Sequence, residues 1–267
     1  MKDQPKIGVI GGSGLYELGL LESQEPLCVH TPYGAHSDGL RVGDVGSVRV
    51  AFLPRHGACH SIPPHLVPYR ANLWALHTLG VRRLVTVSAM GGMRSDYAIG
   101  DVCVPDQIVD WTKGRACTVF DGPQVVHTPF SEPFCGALRA ALDRASGERG
   151  LTCHDGGTVV VFDGPRFSTK AESLFYRNVL QADLLSMTAM PEAILARELG
   201  ICYGTLAVVS DLDAFGDEEV DASEVNAVMR RTLPRIVEAL RLAIPTIADA
   251  PPCTGCLSPT GSPFRED

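Results

Sequence analysis

The chain has 267 residues, 45% of them hydrophobic and 20% charged, with a formal net charge of -8. That length suits one large α/β domain or two small ones, and the acidic balance argues against a general nucleic-acid binder while leaving a local anion site open. No apolar run reaches the length of a membrane span and the N-terminus carries no signal-peptide core, so the expectation is a cytoplasmic protein with no membrane partner.

In chain order, Ile7 to Ile10 reads as a short strand that runs into Gly11-Gly12-Ser13-Gly14. Glycines after a strand let backbone N–H groups approach an oxyanion, and Ser13 adds a hydroxyl donor. A plain tight turn or a dinucleotide loop accounts for the same glycines. The spacing lacks a clean G-x-G-x-x-G, however, and Pro26 and Pro32 interrupt any long helix. A second strand, Val48 to Leu53, ends at Pro54-Arg55-His56-Gly57. Arg55 offers a planar fork of donors for phosphate or carboxylate, and His56 adds a further polar nitrogen. His60 and His65 follow closely, but Ser61-Ile62-Pro63-Pro64 breaks any helical ligand spacing, which favours an anion over a metal. A surface arginine beside a satisfied histidine is the plainer alternative.

Leu66 to Leu79 has helical periodicity, with Pro68 placed for the first turn and Gly80 as a stop. Arg83 to Ser88 reads as a buried strand entering the small-residue turn Ala89-Met90-Gly91-Gly92, where Ser88 presents a hydroxyl. After a helix over Glu132 to Ala145, the strand Val159 to Phe162 leads into Asp163-Gly164-Pro165-Arg166-Phe167-Ser168. Phe167 is placed either to stack on a flat ring or to fill the core. A helix over Lys170 to Leu180 and a strand over Ala182 to Leu185 precede Ser186-Met187-Thr188. Thr188 is positioned to cap the helix from Met190 to Leu199 that Pro191 opens, and Met187 offers a soft apolar wall.

The strand Cys202 to Ser210 stops at Asp211-Leu212-Asp213. Carboxylates at i and i+2 of an extended chain share a side, and at a strand end they look into the crevice where open α/β sheets bind ligands. A solvated turn is the rival reading. The last helix carries Val225, Met229, Leu233, Ile236, Leu240 and Ile244 on one stripe, with Pro234 expected to kink or split it. Strands alternating with helices predict a three-layer α/β fold around a central mixed sheet, with one domain over 1–248 and a Pro/Ser/Cys-containing tail over 249–267. Nine cysteines are scattered along the chain, and Cys253 and Cys256 form the only C-x-x-C. Without a second pair or a nearby histidine, that spacing favours a tail disulfide over zinc.

Taken together, Ile10-Gly11-Gly12-Ser13-Gly14-Leu15, Arg55-His56-Gly57, Tyr69-Arg70-Ala71-Asn72-Leu73-Trp74-Ala75-Leu76, Gly164-Pro165-Arg166-Phe167-Ser168, Met187-Thr188-Ala189-Met190-Pro191-Glu192 and Ser210-Asp211-Leu212-Asp213 resemble the trimeric purine nucleoside phosphorylase family. The likeness is closest to its methylthioadenosine phosphorylase branch and covers about residues 6 to 245. It implies phosphate-dependent cleavage of the glycosidic bond of 5′-methylthioadenosine, with phosphate as co-substrate and no metal or organic cofactor. By the same resemblance Ser13, Arg55, His56, Ser88, the Ala89 amide and Thr188 would hold phosphate. Met187 would lie under the ribose, His60 toward its hydroxyls or 5′ side, and Phe167 and Ser168 along the base. Asp213 would donate a proton to the purine N7 and Asp211 would accept from the exocyclic amine. His127 would enter a neighbouring subunit's site, implying a homotrimer.

A carboxylate pair suits a 6-amino purine better than a 6-oxo one. The stretch matching the 5′ wall contains Ala222, Val225 and Asn226, a small and partly polar set. A 6-oxopurine phosphorylase and a phosphorylase of another 5′-modified adenosine, such as a 5′-halo-5′-deoxyadenosine, are therefore the alternatives. A non-catalytic nucleotide sensor and a dinucleotide-dependent oxidoreductase stand further off.

Overall fold

The computed structural model describes residues 4–123, 125–213, 220–256 and 262, with the side chains of Ser13 and Tyr16 outside the described set. In chain order the elements are β1 (Ile7–Gly11), α1 (Ser13–Glu17), β2 (Glu22–Pro26), β3 (Arg41–Val45), β4 (Val48–Pro54), α2 (Tyr69–Thr78), β5 (Arg83–Gly92), β6 (Val102–Val104), β7 (Gln107–Asp110) and α3 (Gly136–Glu148). There follow β8 (Cys153–Asp155), β9 (Thr158–Val161), α4 (Lys170–Asn178), β10 (Leu184–Ser186), α5 (Ala189–Glu198), β11 (Cys202–Asp211) and α6 (Ala222–Asp249).

The strands form one mixed sheet in the order β2-β3-β4-β1-β5-β10-β9-β7, and β11 adds to β5 and carries β6 and β8 beyond it. β4, β1, β5 and β11 are mutually parallel, so their carboxyl ends lie on one edge. Alternation along these buried strands divides the core in two. Val9, Val50, Phe52, Val85, Val87, Leu206 and Val208 face α3 and α6. Ile10, Ala51, Leu53, Leu84, Met90, Ala207 and Val209 face α2 and α5. The result is the expected three-layer arrangement with the sheet in the middle. A smaller cluster of Val160, Phe162, Tyr176 and Leu185 seats α4 at one side.

All six expected strands and all five expected helices are present, with ends shifted by a few residues. Pro68 stands at the N-cap of α2 rather than inside its first turn. Pro234 does not split the last helix: α6 runs for 28 residues with both Pro234 and Pro245 inside it. Pro234 is exposed, as is Arg230 four residues earlier. On this exposed face a carbonyl deprived of its N–H partner is open to hydration, which lowers the cost of the interruption. The strands β2, β3, β6, β7 and β8 were not expected from the sequence. They are short, and β2 is almost wholly polar and exposed, so neither length nor alternation marks it. Among the described residues no helix is long and apolar enough to cross a membrane.

Candidate active site

Sheet geometry gathers the sequence-predicted residues. Arg55 follows β4 with the parity of Ala51 and Leu53, and Ser88 lies on β5 with the parity of Leu84 and Met90, so both face the α2/α5 layer. β10 runs antiparallel to the far end of β5, pairing Leu185 with Gly91, and so returns the chain toward Ser88 just before Met187 and Thr188. This reversal is what a mixed sheet provides and an all-parallel one does not.

Arg55 is 3% exposed and its fork is taken up by a glutamate at the start of α5. Its Nε donates to Glu192 Oε1 at 2.5 Å and its Nη2 to Glu192 Oε2 at 3.0 Å. Glu192, fully buried, also accepts from the Tyr203 hydroxyl at 3.3 Å. Nη1 reaches toward the Val87 carbonyl at 3.5 Å, beside Ser88. Two nitrogens of the guanidinium are thus held by Glu192, and Nη1 is the group turned toward β5. Burial, then the neighbouring Arg55 charge, lowers the His56 pKa to about 4. His56 Nδ1 lies 2.7 Å from the Ile62 carbonyl, which requires the proton on that nitrogen and leaves Nε2 with a lone pair.

Thr188 occupies the N-cap position of α5, but its hydroxyl caps nothing. Ser186 Oγ instead accepts from the Thr188 and Ala189 amides at 3.2 and 3.4 Å. The expected capping role is therefore corrected: the buried Thr188 hydroxyl is left for another partner. Ser88 is buried and Ala89 half-buried on β5. Ser13 opens α1 directly after β1, on the same edge of the sheet, and its side chain lies outside the described set.

The two carboxylates do share a side. A Cβ placed on Gly91 would lie 3.0 Å from Asp211 Oδ1 and 3.1 Å from the Asp213 Cβ. Both therefore crowd onto β5 where it has no side chain, at a point where a bulge after Val209 brings Asp211 opposite Gly91. Their surroundings differ. Burial, aided by the Asp213 charge, pushes Asp211 up to about 6 against a single opposing hydroxyl, that of Ser210 at 2.8 Å. Asp213 is also raised by burial, but two hydroxyls hold its charged form: Ser168 Oγ at 2.7 Å and Ser173 Oγ at 3.1 Å. Thr169 and Glu172 cap α4 reciprocally, which fixes Ser168 just before the helix and Ser173 in its first turn.

Met187 precedes Thr188 in the chain and packs against the turn after β9. Gly164 has φ +62°, and a Cβ there would collide with the Met187 sulfur, so the turn after β9 and the thioether are fitted to each other. Arg115 ties this region together. It donates to the carbonyls of Met187 at 2.8 Å, Met190 at 2.7 Å and Asp163 at 2.8 Å, and to the Tyr69 hydroxyl at 3.2 Å. Phe167 is 38% exposed at the border, which disposes of its core alternative.

His60, His127 and the start of α6 complete the set of expected residues. His60 is exposed with φ +52°, its ring 4.6 Å from that of His56. His127 is exposed between β7 and α3, and nothing among the described residues links it to the carboxylates of its own chain. Ala222 and Asn226 are exposed and Val225 half-buried in the first turns of α6, and residues 214–219 before them lie outside the described residues. Sequence reasoning missed Glu192, Arg115 and Ser173. Glu192 stood inside the quoted Met187–Glu192 motif, but nothing in its spacing tied it to Arg55, 137 residues away. The described residues thus combine hydrogen-bond donors suited to an oxyanion, a thioether, and two adjacent carboxyls, one raised to about 6 and the other held by two hydroxyls. Chemically this combination suits attack by an anion with protonation of a leaving group that also donates a hydrogen bond.

Comparison with known proteins agrees with that chemistry. The model of the phosphorylase superfamily matches residues 6–245. The S-methyl-5′-thioadenosine phosphorylase of Pyrococcus horikoshii is 46% identical over 252 residues, covering 94% of this chain and 96% of that relative. The protein of the same name from Saccharolobus solfataricus is 44% identical, covering 95% and 94%. Among solved structures, a methylthioadenosine phosphorylase from an antarctic soil metagenomic library superposes with a TM-score of 0.92 at 39% identity, covering 98% of this chain and 93% of that one. The Schistosoma mansoni methylthioadenosine phosphorylase in complex with adenine gives 0.87 at 35% identity, covering 92% and 93%.

Proposed function

This chain belongs to the phosphorylase superfamily, and we propose that it cleaves the N-glycosidic bond of 5′-methylthioadenosine with phosphate, giving adenine and 5-methylthioribose 1-phosphate. The observation that carries the reading is the carboxyl pair at the end of β11, one member raised to about 6 and the other held by two serine hydroxyls. Phosphate is the nucleophile. One of its oxygens bonds to the anomeric carbon as the bond from that carbon to the purine N9 breaks, and the bonding pair leaves with the base. Protonation at N7 neutralises the departing purine.

We assign the two aspartates in the reverse of the order the resemblance suggested, a reading supported by their different surroundings. Asp211, raised to about 6, donates to N7; Asp213, raised by burial but with its charged form favoured by the Ser168 and Ser173 hydroxyls, accepts from the 6-amino group. On the opposite face the Arg55 Nη1, the hydroxyls of Ser13, Ser88 and Thr188, and the Ala89 amide bind phosphate. His56, neutral with its free lone pair on Nε2, accepts from a P–OH, so the bound species carries at least one proton. Met187 underlies the ribose, His60 lies toward its hydroxyls or 5′ side, and Phe167 borders the base. Side chains and the Ala89 amide supply every donor and acid in this scheme, which calls for no organic cofactor.

The same proposal includes a homotrimer in which His127 enters a neighbouring subunit's site, and a 5′ pocket walled by Ala222, Val225 and Asn226. It takes 1–248 as the catalytic domain and 249–267 as a tail, in a reducing cytoplasm suited to nine free cysteines. The test is initial-rate measurement on 5′-methylthioadenosine, adenosine, a 5′-halo-5′-deoxyadenosine and inosine, with and without phosphate. Phosphate-dependent adenine release, fastest from methylthioadenosine, is expected. Faster turnover of inosine would overturn the 6-amino assignment, and a faster 5′-halo substrate the methylthio one.

A further inference from the structure

Far from the carboxylates, four thiols from three separate places meet. Cys135 is the N-cap of α3, Cys202 opens β11, and Cys253 and Cys256 bracket the short 3-10 turn that follows α6. Their four sulfurs all lie within 4.8 Å of one another, and Cys135 Sγ and Cys253 Sγ are 3.8 Å apart. Three of the four residues are buried and the fourth half-buried. A tetrahedral ion with metal–sulfur bonds of about 2.3 Å places its sulfurs roughly 3.8 Å apart, whereas a disulfide joins two sulfurs at about 2.05 Å and uses them in pairs. Here all four converge on a common centre.

The surroundings suit the charge such a site would carry. The Ala137 and Leu138 amides at the start of α3 point to the Cys135 sulfur, as N–H groups at a helix N-terminus do toward an anion. Arg83 and Arg144 line the same cavity as Cys135, Cys202 and Cys253. The end of α6 and the segment after it are also docked without any ion. Arg83 donates to the carbonyls of Ile247 at 2.7 Å, Ala248 at 3.0 Å and Pro251 at 3.1 Å, and to that of Ala250. On the other side the Cys135 amide donates to the Tyr203 carbonyl at 2.8 Å, and the Cys202 amide to that of Arg82 at 2.9 Å. The ligand frame is therefore preformed by backbone contacts.

We propose that Cys135, Cys202, Cys253 and Cys256 form a tetrathiolate site for one zinc-class divalent ion that fastens the chain after α6 to the base of the sheet. Zinc fits because an all-sulfur tetrahedral set matches a d10 ion with no geometric preference of its own. Binding converts four thiols to thiolates and releases four protons, leaving a site of net charge -2, with no change in redox state. All four positions are taken by protein, so no open position exists for substrate or water. Cys202 and Asp211 stand at opposite ends of β11, nine residues or roughly 30 Å apart at the rise of a strand, so the role is structural.

The test uses the full chain purified under reducing conditions. Elemental analysis should find about one zinc per chain, falling below about 0.1 in a Cys253→Ser/Cys256→Ser double variant. That variant should melt at lower temperature while keeping kcat/KM within about two-fold of the parent, as expected of a closed structural site. A strong chelator should lower the parent's melting temperature and leave the variant's unchanged. Should the variant not fold, the parent reconstituted with cobalt(II) decides, since four thiolates give intense thiolate-to-cobalt charge transfer and the visible bands of a tetrahedral ion. The proposal is overturned if reduced protein takes up neither zinc nor cobalt, or if these cysteines are paired as disulfides and bind no zinc after reduction.

Discussion

At the scale of single residues, the proposed chemistry rests on two neighbouring carboxyls in different surroundings. Asp211 is buried against one hydroxyl, whereas Asp213 is buried against two, and the proposal draws its acid and its acceptor from that difference of one donor. Asp211→Asn should lower kcat on methylthioadenosine by about 10²- to 10⁴-fold with the KM for phosphate nearly unchanged. Asp213→Asn should act chiefly on nucleoside KM and on the preference over inosine. The opposite ranking returns the acid role to Asp213. The parent's kcat/KM should decline on the alkaline side as Asp211 loses its proton, beginning near its pKa of about 6, and this limb should vanish in Asp211→Asn. Stability carries a linked signature. Between about pH 4 and 6 the folded chain holds a proton that the unfolded chain has released, so folding weakens as pH rises through that window. Asp211→Asn should therefore be more stable than the parent by about 1–3 kcal/mol at pH 7.5 and equal to it below pH 4, as chemical denaturation at both values would show.

At the scale of elements, two positions carry separable predictions. Gly164 combines a left-handed backbone with close approach to the Met187 sulfur. Gly164→Ala should cost about 1–3 kcal/mol and displace Met187, raising nucleoside KM more than it lowers kcat. An unchanged KM would remove Met187 from beneath the ribose. Pro234 sits exposed within the continuous α6, where a proline is disfavoured relative to alanine by up to about 3 kcal/mol. Pro234→Ala should raise the denaturation midpoint and leave activity alone. The stripe along α6 was visible in the sequence because burial on one helical face imposes its period. Whether the proline would break it was not, because the answer depends on which face the freed carbonyl meets.

At the scale of the whole molecule, the proposed trimer makes a prediction that no single-chain mechanism shares. His127→Ala and Asp211→Asn would each be nearly inactive alone. Co-refolded mixtures should regain activity, because some sites would draw an intact carboxyl from one subunit and an intact histidine from its neighbour. Equal inactivity of mixtures and parents would place His127 outside the site. By itself the sequence determined the alternation of strands and helices, and with it the layered fold, because periods of 2 and 3.6 are written locally. It also pointed to the candidate positions Arg55 and Asp211, which stand where an apolar run stops. Only the tertiary structure decided the rest. Glu192 claims two nitrogens of Arg55 across 137 residues, and Arg115 gathers Met187, Met190 and Asp163. The C-x-x-C pair, without partners in its own neighbourhood, finds Cys135 and Cys202 from other elements. The reason is common to all three: hydrogen bonds, ion pairs and thiol clusters depend on distance in space, and spacing along the chain records that distance only within one helix, strand or turn.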